Sequence, residues 1–173
     1  PHGSEEDGYH NSSFNLKLGA QPLEGLNLDL VTRYTRARAE TDPQDYNFPP
    51  SATFGQVIDG DDINHSEQLY SRLQGTLQLG QWTQRVGLAV TDTQNEFFSD
   101  GAKTNSTDGR KRKLDYQSSY QFGERDHQHT VVFAAEHERE EFHQRGQTTD
   151  APSNQDQSMT NTGLIGEYRI GLW

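Results

Sequence analysis

Apolar side chains recur at every second position along much of this chain. Residues 72–93, RLQGTLQLGQWTQRVGLAVTDT, carry Leu73, Leu77 and Leu79 in one phase, reverse at Gly80-Gln81, and resume with Trp82, Val86, Leu88 and Val90. Successive side chains of a strand face opposite sides, so period two predicts a sheet with one apolar face. The same alternation predicts seven strands, over 9–20, 26–37, 68–79, 82–93, 113–122, 127–138 and 160–170. Val132 and Ala134 blur the sixth, and Ile165 falls out of phase in the seventh. A two-residue turn at Gly80-Gln81 sets Leu79 opposite Trp82. Leu73 then faces Leu88, Gly75 faces Val86, and Arg72 falls beside Ala89 on the other face. Both apolar stripes share one side of the hairpin.

The connections between these strands alternate. Segments 21–25, 80–81 and 123–126 are short, whereas 38–66, 94–112 and 140–157 are long, polar and rich in Gly, Asp, Asn and Thr. Transmembrane β-barrels have this layout, with short turns at one end and long loops at the other. Trp82, Tyr120, Phe122 and Trp173 gather at the short-turn ends, where a barrel carries an aromatic belt.

Composition sharpens the choice. Apolar residues make up 29% of the 173, against about 45–50% in a packed globule. Mean hydropathy is −1.02. Two facing sheets could not both be covered from so small a supply, but in a barrel lipid covers the apolar face. The fold expected is therefore all-β, an antiparallel up-and-down transmembrane β-barrel segment. The alternative is a soluble or surface β-sheet module that binds carbohydrate or another ligand. No run approaches the roughly 18 apolar residues of a spanning helix. The formal net charge of −11 argues against nucleic acid as a partner, since phosphate contacts need clustered Lys and Arg. The one basic cluster, Arg110-Lys111-Arg112-Lys113, reads as a solvated loop flank.

Candidate chemistry is sparse. There is no cysteine, hence no disulfide framework or thiolate metal site. His137 and His143 sit six residues apart, roughly 20 Å along an extended strand, too far to chelate one ion together. No Gly-x-Ser-x-Gly elbow and no phosphate-cradling glycine spacing occurs, so an enzyme is not expected. Phe97, Phe98 and Phe142 fall in the long loops and are candidate ligand-binding aromatics. Asp42, Asp45, Asp59, Asp61 and Asp62 crowd the first long loop as a candidate calcium site, although they lack EF-hand spacing. Asp7 would be an extra ligand at the same rim.

Two segments carry a family likeness. Asp7-Gly8-Tyr9-His10-Asn11 resembles the DGYRN-like segment in early barrel strands of TonB-dependent outer-membrane receptors. Asn161-Thr162-Gly163-Leu164-Ile165-Gly166-Glu167-Tyr168, after an acidic, Gln-rich loop, looks like a later strand of the same barrels. The order and lengths of the hairpins between them are most similar to cobalamin and siderophore receptors. The resemblance covers essentially the whole chain, and its motifs are short. It implies the barrel portion of such a receptor, about seven strands of a larger, probably 22-stranded barrel with no plug domain present. It also implies location in the outer membrane of a Gram-negative bacterium and uptake of a scarce nutrient chelate. Its partners would be outer-membrane lipid and the TonB complex, reached through the missing plug. Calcium gains weight as a cofactor, because cobalamin receptors order external loops with it.

Overall fold

The computed structural model describes residues 8–124 and 127–172. They form one open antiparallel sheet whose strands lie side by side in chain order. These are β1 (Tyr9–Leu23), β2 (Leu26–Thr41), β3 (Asp62–Leu79), β4 (Trp82–Ser99), β5 (Ala102–Glu124), β6 (His127–Gly146) and β7 (Gln155–Leu172). No helix occurs among the described residues. The fold is thus all-β, with every predicted strand present. Asp7, Trp173 and part of the 123–126 turn lie outside the described residues.

The Gly80-Gln81 hairpin pairs as its stripe requires: Leu79 with Trp82, Leu73 with Leu88, Gly75 with Val86, and Arg72 with Ala89. Gly80 takes φ 59°, the positive value that a two-residue hairpin turn with glycine at its first central position needs.

The strands run well beyond their apolar stripes, which corrects the expected loops. The largest correction concerns 94–112. It is not a loop, because β4 continues to Ser99, turns at Asp100-Gly101 and returns as β5 from Ala102. Asp100 and Gly101 have φ of 51° and 73°, the pair of positive values that suits a tight hairpin turn. The other two long connections shrink to 42–61 and 147–154. Short and long connections therefore do not alternate strictly. The basic cluster 110–113 is likewise strand, not loop flank, with Lys111 and Lys113 on one face and Arg110 and Arg112 on the other.

No second layer covers the sheet. Val132, 9% exposed, is the one buried apolar side chain among the described residues. Leu73, Leu79, Trp82, Val86, Leu88 and Val90 are all exposed. A single sheet with an uncovered apolar face is not an architecture that water stabilises, since a sheet must bury that face against something.

Candidate functional site

The apolar face carries the most structured feature of the molecule. Register partners define rows that cross the sheet at right angles to the strands. One such row reads Leu16, Thr32, Ser71, Val90, Arg112, Arg139, Thr160 from β1 to β7. It begins apolar and ends charged and polar, although all seven side chains share a face.

Neighbouring rows shift in the same sense. The last apolar or aromatic residue before the polar stretch is Phe14 on β1, Tyr34 on β2, Leu69 on β3, Val90 on β4, Leu114 on β5, Ala135 on β6 and Leu164 on β7. At the short-turn side the stripe starts at Leu23 on β1, Leu26 on β2, Leu79 on β3 and Trp82 on β4, then at Phe122, His129 and Ile170 on β5 to β7. Followed through the register, the upper margin descends by about three rows between β1 and β7 and the lower margin by about two. A row is two residues, about 6.7 Å, and the six interstrand steps cover about 29 Å. The apolar zone is therefore a slanted band, about 20–33 Å deep along the strands, whose edges run at about 25–35° to the rows. The strands cross that band with the same tilt.

An aromatic ladder marks its lower edge. Tyr120, Phe122, His129 and Tyr168 stack in series with ring centroids 5.8, 5.0 and 5.9 Å apart. The His129 Nδ1 atom lies 2.6 Å from the Tyr168 hydroxyl, and Trp82 is the register partner of Tyr120. Above the upper edge the same face becomes a lattice of ion pairs. Arg36 meets Glu67 at 3.2 Å, Arg110 meets Asp92 at 2.6 Å, Arg139 meets Glu141 at 2.8 Å, and Arg145 meets Asp156 at 2.6 Å.

The opposite face is polar along nearly its whole length. Arg72 on β3 reaches across β4 and donates two hydrogen bonds to the Asp115 carboxylate on β5, at 2.8 and 2.9 Å. Gly87 leaves the gap through which it passes. Between β5 and β6, Lys111 meets Glu138 and Glu140 at 2.8 Å, and Lys113 meets Glu136 at 2.6 Å. Val132, Ala134 and Ile165, which disturb the alternation, sit together on this face, with Ala134 and Ile165 as register partners.

The candidate aromatics are not in loops. Phe97 and Phe98 belong to β4 and Phe142 to β6. Phe97 faces the polar side between Asn64 and Asn105, whose Oδ1 atoms are buried without hydrogen-bond partners. Phe98, the next residue of the strand, faces the other side, where its ring lies 5.4 Å from that of His65. Phe142 pairs with Gly109 two strands away. The three do not share one site. The aromatics that the 42–61 loop does present are Tyr46, Phe48 and Phe54, all exposed, with Tyr46 and Phe54 edge to face at 5.8 Å. Their presence between polar residues was the available signal.

The five aspartates are also dispersed. No group of three or more His, Cys, Asp or Glu able to hold a metal occurs among the described residues. Asp45 is 4% exposed and takes hydrogen bonds from the Ser51 hydroxyl, from the Thr53 hydroxyl at 2.7 Å and from the Asn47 amide at 3.0 Å. These donors, Ser51 foremost, hold its pKa down at about 2. Asp42 accepts a long bond from the Gly60 amide at 3.4 Å, and Asp62 opens β3. Two hydroxyls and one backbone amide thus meet the Asp45 carboxylate.

Comparison with protein-family models, with curated proteins and with solved structures finds no match.

Proposed function

We propose that this sheet is a section of the wall of a transmembrane β-barrel in the outer membrane of a Gram-negative bacterium. The slanted apolar band carries the reading. Barrel strands tilt by about 35–45° to the membrane normal and show lipid a band about 25 Å tall. A band that slants across seven registered strands at about 25–35°, its stripes about 20–33 Å long, supports such a wall. The aromatic ladder then occupies the periplasmic interface, and the ion-pair lattice stands outside the membrane. The polar face lines the interior. Within that class, the segments 7–11 and 161–168 favour the wall of a TonB-dependent receptor. Such a wall binds and admits a scarce nutrient, of cobalamin or iron-siderophore type, with energy delivered through TonB.

Two measurements on the full-length protein test this. Single cysteines at Leu16, Leu73, Leu88 and Leu164 should resist a membrane-impermeant maleimide in intact outer membranes, while cysteines at Gln94 and at Thr160, which shares a row with Leu16, should react. Labelling that follows the rows instead of the slanted line removes the barrel. Uptake of cobalamin or of a ferric siderophore should fall when the gene is deleted and should depend on TonB. Unchanged uptake of both would remove the receptor assignment alone.

A further inference from the structure

The upper edge of the band carries one arrangement that the protein's own side chains leave unbalanced. Arg112 on β5 and Arg139 on β6 are register partners on the apolar face, both exposed. Like charges directly opposite one another in a sheet destabilise it. The nearby carboxylates on this face are already committed, Asp92 to Arg110 and Glu141 to Arg139. Arg112 has no carboxylate within 4.0 Å among the described residues, unlike its neighbours Arg110, Lys111 and Lys113. Directly below the pair lie Leu114 and His137, Ala135 follows one row further down on β6, and Val90 lies beside Arg112.

We propose that Arg112 and Arg139 together bind the phosphate of a phosphorylated lipid whose acyl chains lie along the band. This rests on the membrane-facing reading of that band. Guanidinium groups form bidentate, charge-assisted bonds to phosphate, and two of them facing the same space suit a phosphate monoester. An anion between them balances Arg112, the member without a carboxylate, and offers Arg139 a second partner beside Glu141. The site also specifies its ligand's other half. A soluble phosphate would gain nothing from Leu114, Val90 and Ala135, whereas an amphiphile places its head at the arginines and its chains on those residues. The lysines of the same cluster point to the opposite face, where carboxylates answer them, and Arg110 on the band side is held by Asp92.

The test uses the full-length protein in vesicles, with a bimane fluorophore on Val90→Cys, the register partner of Arg112. Quenching is compared between brominated phosphatidylcholine and brominated phosphatidic acid. Phosphatidic acid should compete for this position about tenfold better than phosphatidylcholine. The preference should vanish in R112Q/R139Q, persist in part in R112K/R139K, and survive in R36Q, which removes a cation already paired with Glu67. It should also withstand millimolar inorganic phosphate. Equal quenching by the two lipids overturns this inference while leaving the lipid-facing assignment intact. Loss of the preference in inorganic phosphate also overturns it, in favour of a free-ion site. Quenching by neither lipid overturns both the inference and the reading beneath it.

Discussion

Arg72 and Asp115 are joined over the top of a strand to which neither belongs. The guanidinium on β3 and the carboxylate on β5 meet in a two-bond fork at 2.8 and 2.9 Å, directly above Gly87 of β4. A methyl group at Gly87 would lie 2.3 Å from Arg72 Nη2 and 2.6 Å from Asp115 Oδ2. Those atoms end flexible side chains, so Gly87→Ala should displace the pair rather than the sheet. The expected cost is about 1–2 kcal/mol, in keeping with a charge-assisted bond that is partly exposed. Asp115→Asn should cost a similar amount in the native background and almost nothing after Gly87→Ala. Denaturant unfolding of the refolded full-length protein measures all three variants, and additive losses would show that Gly87 serves some other purpose.

The slanted band predicts that position along a row, not the row itself, decides the effect of a charge. Leu16 and Thr160 occupy opposite ends of the same row. Leu16→Arg lies inside the band and should cost about 2–4 kcal/mol, whereas Thr160→Arg lies above it and should cost under about 1 kcal/mol. Leu88→Arg should resemble the first, and Gln78→Arg, on the polar face, the second. Unfolding from lipid vesicles gives these values, and equal losses at Leu16 and Thr160 would remove the tilt.

At the lower edge, Phe122 links two rings that do not otherwise meet. Phe122→Ala should cost about 3 kcal/mol, within the range for deleting a packed aromatic ring. It should also uncouple Tyr120 from His129. A double-mutant cycle between Tyr120→Leu and His129→Leu should show coupling only while Phe122 is present. Coupling that persists in Phe122→Ala would mean that the contact runs through the backbone.

The outer loop should respond to acid through Asp45. Hydrogen bonds hold its folded pKa at about 2, below the value near 3.9 of an unfolded chain. A depressed carboxylate contributes order that is complete above the unfolded pKa and lost as pH falls through the folded one. The Asn47 amide, bonded to Asp45, should therefore stay protected from hydrogen exchange at pH 5 and lose protection towards pH 2. Asp45→Ala should abolish that protection at every pH without changing exchange in β2 or β3.

Alternation made the fold legible wherever one face carried the apolar stripe. All seven strands and the Gly80-Gln81 register could be read from leucine, valine and aromatic phase alone. The signal stopped at the upper edge of the band, because above it both faces are polar and a strand there has the composition of a loop. Residues 94–112 were misassigned for that reason, even though Asp100-Gly101 is among the strongest hairpin dipeptides. In β6 and β7 the phase blurred because Val132, Ala134 and Ile165 form a small apolar patch on the polar face. The site was less legible than the fold. Phe97, Phe98 and Phe142 read as loop aromatics, but all three lie in strands, and the pleat sends the rings of the first two to opposite faces. Charge density suggested an ion among the aspartates, whereas the Asp45 carboxylate is met by Ser51 and Thr53, residues whose role depends on a loop conformation that spacing does not disclose.

The two-sided polarity of the upper hairpin has a consequence for how the sheet assembles. Below Val90 and Leu114, a one-residue slip between β4 and β5 would exchange apolar for polar side chains across the whole band, so only one alignment survives. Above them a slip trades polar for polar and meets almost no such penalty. The outer half therefore inherits its alignment from the half beneath it, as the upper teeth of a zip are set by the box at its base. Errors there are corrected only by the Asp100-Gly101 turn and by pairs such as Arg110 with Asp92. Insertions or deletions near residue 100 should thus be tolerated by the protein's assembly, while a single-residue deletion between Trp82 and Val90 should not, which leaves the rim free to vary and the belt fixed.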